Sequence, residues 1–559
     1  MKTKFYLSLI AISLGLNAMA ADGDKYTMGN LTYTVTSEAN HEVSVKASSD
    51  LISGDIEIPQ YIQPDGGERY QVTSLDRYAF YYCFYVTSIS IPESITSINE
   101  KAFEYCVTIK SFNIPSSVTS IGEYAFQFCE SLSSITIPES VTSIGAWAFQ
   151  ECTSLTSIII PNSVTSIGNY VFDGCKALNS INIPESITSI SNGMFRDCKS
   201  LTSVNIPESV TSIGEYAFQS CESLTSINIP ESVTSIGYGA FIECISLTSL
   251  IIPESVTSIG NGAFYFCTSL TSINIPESVT SIGNHMFDNC TSLTSINIPE
   301  CLTSIGPSAF SDCSSLTSVN IPETVTSIGN WAFYNCNSLT TLNLPKNVNS
   351  LDYGTFQQCS NLETIYNFNP EPQYLDGSTA FSGVPSTATI YVPKQSMDRY
   401  LLAYLLAHGW EYFTDFRELD NVVIIPAATS LSLDQGETFQ MWAKTHFAYD
   451  TETITAEKWE SLNPAVATIS TDGLVTACNK GETEVKYTVT TLTGTYSTAC
   501  KITVTDQAGI GDIPADEPAT VDAPAEYYTL QGVRVSADNL TPGIYIVRQG
   551  NASKKVLVK

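Results

Sequence analysis

Apolar residues recur along most of the chain in one fixed order. Between Cys221 and Cys244 they stand at Leu224, Ile227, Ile229, Val233, Ile236, Ala240 and Phe241, with Ser, Thr, Asn and Glu filling most places between. The block restarts at Cys244. The cysteine keeps its 23-residue step from Cys83 to Cys359 and brackets twelve complete repeats without an insertion. The phenylalanine three places ahead of it, from Phe80 and Phe103 to Phe356, stays in the same register. A period of this length predicts a solenoid of stacked coils. Leu224, Ile227 and Ile229 have the spacing that puts alternate residues of a short strand on one inward face, and Pro230 ends that strand by removing a ladder donor. Val233 and Ile236 supply a second inward pair, and Gly237 is read as the point where the chain turns. Ala240 and Phe241 are expected to close the coil through a short helical or 3₁₀ turn. One such coil has bare apolar edges on both sides, so stability is expected to lie in contacts between neighbours. Phe218 belongs to that shared core on this reading, and Gln219 beside it is expected to be exposed.

The flanks depart from the period. Residues 21–71 keep strand signals such as Leu31–Val35 and read as an N-terminal cap, and residues 72–381 carry the repeats. Register slips at the far end, where Phe381 follows Phe356 by 25 residues. Residues 382–420 read as a C-terminal cap. Its predicted helix, about Ser396 to His408, has Leu401, Leu402, Leu405 and Leu406 as a core stripe and stops at Gly409. Residues 421–506 carry short alternating strands separated by turn signals, which predicts an antiparallel sandwich. Residues 507–524 are acidic and rich in Pro and Ala, the composition of a linker. Residues 525–559 form a small terminal β segment.

Charge narrows the partners. With 25 Lys and Arg against 56 Asp and Glu, the net charge of -31 leaves no positive stripe for phosphates, so nucleic acid and anionic membrane are poor partners. Much of the acid is periodic. Glu93, Glu139, Glu185, Glu208, Glu231, Glu254, Glu277, Glu300 and Glu323 share one repeat position and read as a solvated ridge, with weak divalent-cation binding as the alternative. Residues 1–20 have a basic start, an apolar run from Phe5 to Leu16 and Ala18-Met19-Ala20, a signal-peptide pattern with too short a run to span a membrane.

The block of residues 223–237, SLTSINIPESVTSIG, and the A-F-x-x-C that follows resemble the BspA-like leucine-rich repeats of bacterial surface proteins over residues 72 to about 381. Trp459 to Ser470, followed by Asp472 to Ala477, resembles a group 2 bacterial immunoglobulin-like domain, which implies that Trp459 is core. Tyr527 to Val535 and Pro542 to Arg548 are similar to the C-terminal sorting domains of type IX secretion substrates in Bacteroidetes. The fold class is therefore mainly β with short helical turns: a leucine-rich-repeat solenoid, an immunoglobulin-like β-sandwich and a small C-terminal β module. The resemblance implies a secreted or outer-surface protein adhering to host matrix proteins, host cells or other bacteria. The alternative is a glycan-binding module serving surface polysaccharide degradation.

Catalytic chemistry is hard to find. His41, His285, His408 and His446 lie in different segments without metal-ligand spacing, and no P-loop, G-x-S-x-G or dinucleotide fingerprint occurs, so no enzyme, cofactor or metal site is expected. Thirteen of the sixteen cysteines form the repeat column and are expected to be buried free thiols, because stacked equivalents lie about 4.8 Å apart, beyond disulfide reach. Cys478 and Cys500 are the expected bonded pair. Outward strand positions Ser203, Ser226, Ser272 and Ser295, with Asn205, Asn228, Asn274, Asn297 and Asn320, predict a flat polar sheet of structural purpose. Variation concentrates just before Ala-Phe, where Tyr124, Trp147, Tyr170, Tyr216 and Trp331 occupy a position that in several other coils holds Gly or His285. Aromatic rings supply large contact area at interfaces, so these five are the candidate partner-binding residues, with Tyr124, Trp147 and Tyr170 as the centre. The expected surface is continuous, with no evident pocket.

Overall fold

Most coils contribute two short strands, the first reduced to a single bridge at Asn205, Asn228 and Asn297, and like strands pair in parallel one repeat apart. The computed structural model describes residues 21–505, apart from 65–66, 376–378, 406–408, 421 and 448–451, and beyond these the backbone of four strands within 526–558. Residues 1–20 and 507–524, read above as signal peptide and linker, lie outside the described residues. One ladder pairs Ser111, Ser134, Ser157 and Ser180. The second, built on the Val–Ile pair of each block, pairs Ser97, Ser120, Ser143 and Ser166 and the isoleucine that follows each.

The closing turn is not a continuous helix: Gln127 and Cys129 bond back to the carbonyls of Tyr124 and Phe126 at 3.2 Å, but the N–H groups alternating with them leave the coil. The main-chain N–H groups of Tyr124, Phe126 and Phe128 donate to the carbonyls of Ala146, Ala148 and Gln150 in the next coil at 3.0, 2.8 and 2.8 Å. Tyr124 and Phe128 have φ of +55° and +56°, and this left-handed backbone aims donors along the stack. A helical turn directs its N–H groups back along its own chain and cannot serve the neighbour in this way. Gly237 is not a left-handed turn residue either. It lies so close to the preceding coil that a Cβ would come within 2.6 Å of the Glu215 nitrogen, so glycine here serves proximity.

One apolar core runs from Leu31 to Phe413. Phe80 to Phe381 form a parallel ring stack at 5.1–5.9 Å spacing. The column cysteines are buried free thiols, and each from Cys106 on donates Sγ–H to the Phe carbonyl 26 residues earlier, as in Cys129 to Phe103 at 3.2 Å. The slip after Phe356 is absorbed outside the ladder, since Thr364 pairs with Thr389 and Phe381 stacks on Phe356. Gln219 is half-buried rather than exposed.

At the start, the antiparallel strands Lys25–Met28, Leu31–Ser37 and Glu42–Ala47 cover the first edge, and Glu42–Ala47 pairs in parallel with Tyr70–Leu75. At the end, the helix spans Met397–Leu405. Its buried residues include Tyr400 and Ala403, while Leu401 and Leu402 are exposed at 44% and 54%, so these two leucines of the expected stripe are not on the core face. Tyr400 replaces it because its hydroxyl donates to the Asn369 carbonyl at 2.9 Å, which satisfies the buried polar tip. Leu405 and Leu406 have no described side chains. Gly409, at φ +90°, follows the helix.

Strands Val422–Pro426 and Ala443–Phe447 pair antiparallel. Leu419, Val423 and Ile425 cluster with Phe368, and Tyr366, Tyr391 and Trp442 pack against them. The second compact unit contains Thr438–Gln440, Leu474–Ala477 and Ala467–Ile469 as an antiparallel sheet, and Ser430–Asp434 pairs with Lys501 to Thr505. Trp459 is half-buried rather than core. The expected Cys478–Cys500 bridge does not form. Cys478 is a free thiol just past its strand, 3.5 Å from the Thr476 carbonyl, and Cys500 is buried within strand Thr495–Thr505. In the terminal segment, Glu526–Thr529 and Gly543–Gln549 pair antiparallel, as do Gly543–Gln549 and Ala552–Val558.

Candidate functional site

The candidate aromatic position is one column on the turn side: Tyr78, Lys101, Tyr124, Trp147, Tyr170, Gly193, Tyr216, Gly239, Gly262, His285, Ser308, Trp331 and Gly354. Every member has φ between +53° and +63°. Glycine takes this conformation freely, whereas a bulky residue there is strained, so the rings occupy the column at a cost. Tyr124, Trp147, Tyr170 and Tyr216 are half-buried, and Trp331 is 41% exposed.

The structure divides these five residues. Tyr124 stacks on Trp147 at 5.0 Å and 1°, and Trp147 on Tyr170 at 5.6 Å and 5°. Lys101 Nζ lies 4.7 Å over the Tyr124 ring, and the Arg196 guanidinium carbon lies 5.3 Å over Tyr170. Ring faces are thus turned toward neighbours. Beneath, Gln150 Nε2 donates to Asp173 Oδ2 at 2.6 Å, and Arg196 donates to both Asp173 oxygens at 2.8 and 2.9 Å, which fixes the cation against Tyr170. Tyr216 and Trp331 stand apart: each meets a tyrosine edge-on, Tyr238 at 5.2 Å and Tyr353 at 5.3 Å, both at 76°.

A second left-handed column lies four residues on, and the sequence reading missed it. Tyr82, Tyr105 and Phe128 stack at 4.6 and 4.5 Å, with Phe84 37% and Tyr85 58% exposed nearby. Its signal was available as aromatic residues on the same 23-residue step.

The polar sheet is partly covered. Asn205 and Asn228 are exposed, but Ser295 and Asn320 are buried at 8% and 3%. His446 Nε2 lies 2.7 Å from Asn320 Oδ1, and Lys444 Nζ pairs with Glu300 at 2.7 Å. The glutamate ridge cross-links coils: Glu93 accepts from the Ser117 N–H at 3.2 Å, and Glu323 from that of Lys346 at 3.1 Å. Among the described residues, no group of three or more His, Cys, Asp or Glu is placed to hold a metal ion, and no helix is long and apolar enough to cross a membrane. Burial pushes the column thiols up, Cys83 and Cys267 to about 12, so they are not nucleophiles near neutral pH.

Parallel coils with a variable turn face over a nearly constant strand face define a leucine-rich-repeat solenoid of the bacterial surface type. The chain belongs to the BspA type leucine-rich repeat family: residues 73–202, 188–300 and 282–404 match the profile of the BspA type leucine-rich repeat region. Residues 420–502 match the bacterial Ig-like domain, group 2. Among solved structures, a leucine-rich repeat protein from Bacteroides ovatus is similar at 30% identity and a TM-score of 0.60, over 71% of this chain and 100% of that one. A leucine rich cell surface protein from Faecalibacterium prausnitzii is 26% identical over 71% of this chain and 95% of its own, with a TM-score of 0.42. No curated protein matches the chain significantly. The family and fold are in general non-enzymatic, and a general role in protein interaction or adhesion is consistent with both.

Proposed function

We propose that this protein is a surface-displayed or secreted adhesin that holds a protein partner, on a host matrix, a host cell or another bacterium, against the turn face of its N-terminal coils. The observation that carries this reading is the Tyr124–Trp147–Tyr170 stack. Three consecutive coils place large, half-buried rings on a left-handed position that glycine fills in four other coils. Fixed rings lose little side-chain entropy on binding, which favours them as contact residues. The neighbouring Tyr82–Tyr105–Phe128 stack widens the surface. Residues 1–20 and 525–559 supply export and sorting in this reading, and the immunoglobulin-like domain is a spacer.

The test uses a variant carrying Tyr124→Gly, Trp147→Gly and Tyr170→Gly. Glycine is chosen because Gly193, Gly239 and Gly262 hold the same backbone without strain. Mature chain and variant are compared for binding to immobilised fibronectin, laminin and collagen, with circular dichroism as the folding control. Loss of binding in a folded variant is expected. Undiminished binding moves the site to another face.

A further inference from the structure

Trp331, like Tyr216, has no ring of its column on either side. One side rests on Gly354 of the next coil, where a Cβ would come within 2.6 Å of Trp331 Cδ1 and 2.7 Å of Nε1. On the other side the preceding coil places Ser308, which has no ring to stack there. Tyr353, itself 42% exposed, meets Trp331 at 5.3 Å and 76°, so the two rings are not stacked. A cleft of about 390 Å³ opens here, lined by Ser308, Asp312, Trp331, Tyr334, Tyr353 and Gln357 among others. That volume lies in the range of small-ligand sites, which combine aromatic walls with a few polar groups.

We infer that this cleft is a carbohydrate-binding site that receives one pyranose unit of a neutral glycan on the open face of Trp331. A pyranose presents an apolar C–H face and a rim of hydroxyls. The C–H face suits the electron-rich indole face. The hydroxyls find acceptors and donors in Asp312, Gln357 and Ser308. Asp312 is held in place by Asn335 Nδ2 at 2.6 Å and Ser311 Oγ at 3.0 Å. Each of its oxygens thus has one donor already and retains a lone pair for a hydroxyl. The Tyr124–Trp147–Tyr170 stack cannot take a sugar in this way, because its faces are covered by rings and cations. The site lies on different coils from that stack and does not rest on the protein-binding reading.

Two variants separate the ring from the cleft. Trp331→Gly removes the platform at a position where glycine is at ease. Ser308→Tyr keeps Trp331 but covers its face as Tyr124 covers Trp147, at a φ of +53° that tyrosine adopts elsewhere in the column. Mature full-length chain is run through native gels containing barley β-glucan, galactomannan, pullulan or pectic galactan, and in parallel over a poly-lysine surface. The expected result is retardation by at least one polysaccharide, weakened at least tenfold in both variants and unchanged in Tyr61→Ala, at an exposed ring of the N-terminal cap, with all four chains equally folded by circular dichroism. Free migration of the parent chain in all four gels overturns the proposal. So does retardation that survives Trp331→Gly, or poly-lysine capture that depends on Trp331 without any retardation.

Discussion

Gly193 and Gly262 share a repeat position and a backbone, with φ of +59° and +61°, but not an environment. A Cβ at Gly193 would lie 2.1 Å from two ring carbons of Tyr170, whereas at Gly262 the nearest atom is Tyr265 Cβ at 3.9 Å. Alanine at Gly262 therefore incurs left-handed strain alone, about 1–2 kcal/mol. At Gly193 the same strain adds to displacement of a ring that Trp147 and Arg196 hold in place. Urea midpoints should fall further for Gly193→Ala than for Gly262→Ala, and equal midpoints would show that Tyr170 does not lie over the next coil. The sequence disclosed the alternation of glycine with large rings in this column but not its cause, because a left-handed φ is evident only where every occupant is glycine. It also hid a use of serine. Ser117 and Ser140 each donate to a carbonyl 22 residues earlier at 2.6 Å, a cross-coil bond that serine's high frequency in the chain obscured.

Within one coil, the strand and the Cys–Phe register were legible because their period is strict. The closing turn was not, since the same apolar spacing suits a helical turn, and the choice is made by the neighbouring coil's need for donors. Stacking also sets the chemistry of the cysteines. Burial raises the thiol of Cys267 from the ordinary 9.0 to about 12. A raised folded-state value favours the protonated thiol, so this contribution to stability is complete below about pH 9 and is lost as pH rises toward 12. Every column cysteine from Cys83 to Cys336 shifts the same way, so the losses accumulate. Two results are expected: a thiol reagent at pH 8 leaves the column silent until denaturant is added, when at least thirteen thiols react, and the melting temperature drops steadily above about pH 9. Thirteen thiols reacting quickly in the native state, or a flat alkaline profile, would contradict the buried column.

Over the longest range, the apolar core is continuous from the N-terminal cap to the last coil, so the flanking segments act as parts of the stack. The ribbon of Val422–Pro426 and Ala443–Phe447 extends this principle to the polar strand face, and no periodicity foretold it, because these strands lie outside the repeat. Two kinds of contact hold Ala443–Phe447, and their magnitudes differ. Lys444 and Glu300 form an ion pair with side chains 30% and 54% exposed, and a solvated pair of this type contributes within about 1 kcal/mol. His446 is buried, stacks on Phe368 at 4.9 Å and lies 2.7 Å from the buried amide of Asn320. Its removal strands that amide without a partner, which costs about 1–3 kcal/mol before the lost ring contact is counted. Hydrogen exchange of the Ala443–Phe447 amides should therefore accelerate about 10- to 100-fold in His446→Ala, by the same energy, and little in Lys444→Ala. Equal acceleration in the two variants would mean that surface charge holds the ribbon, and no acceleration in either would mean that the strand is not seated on the polar face.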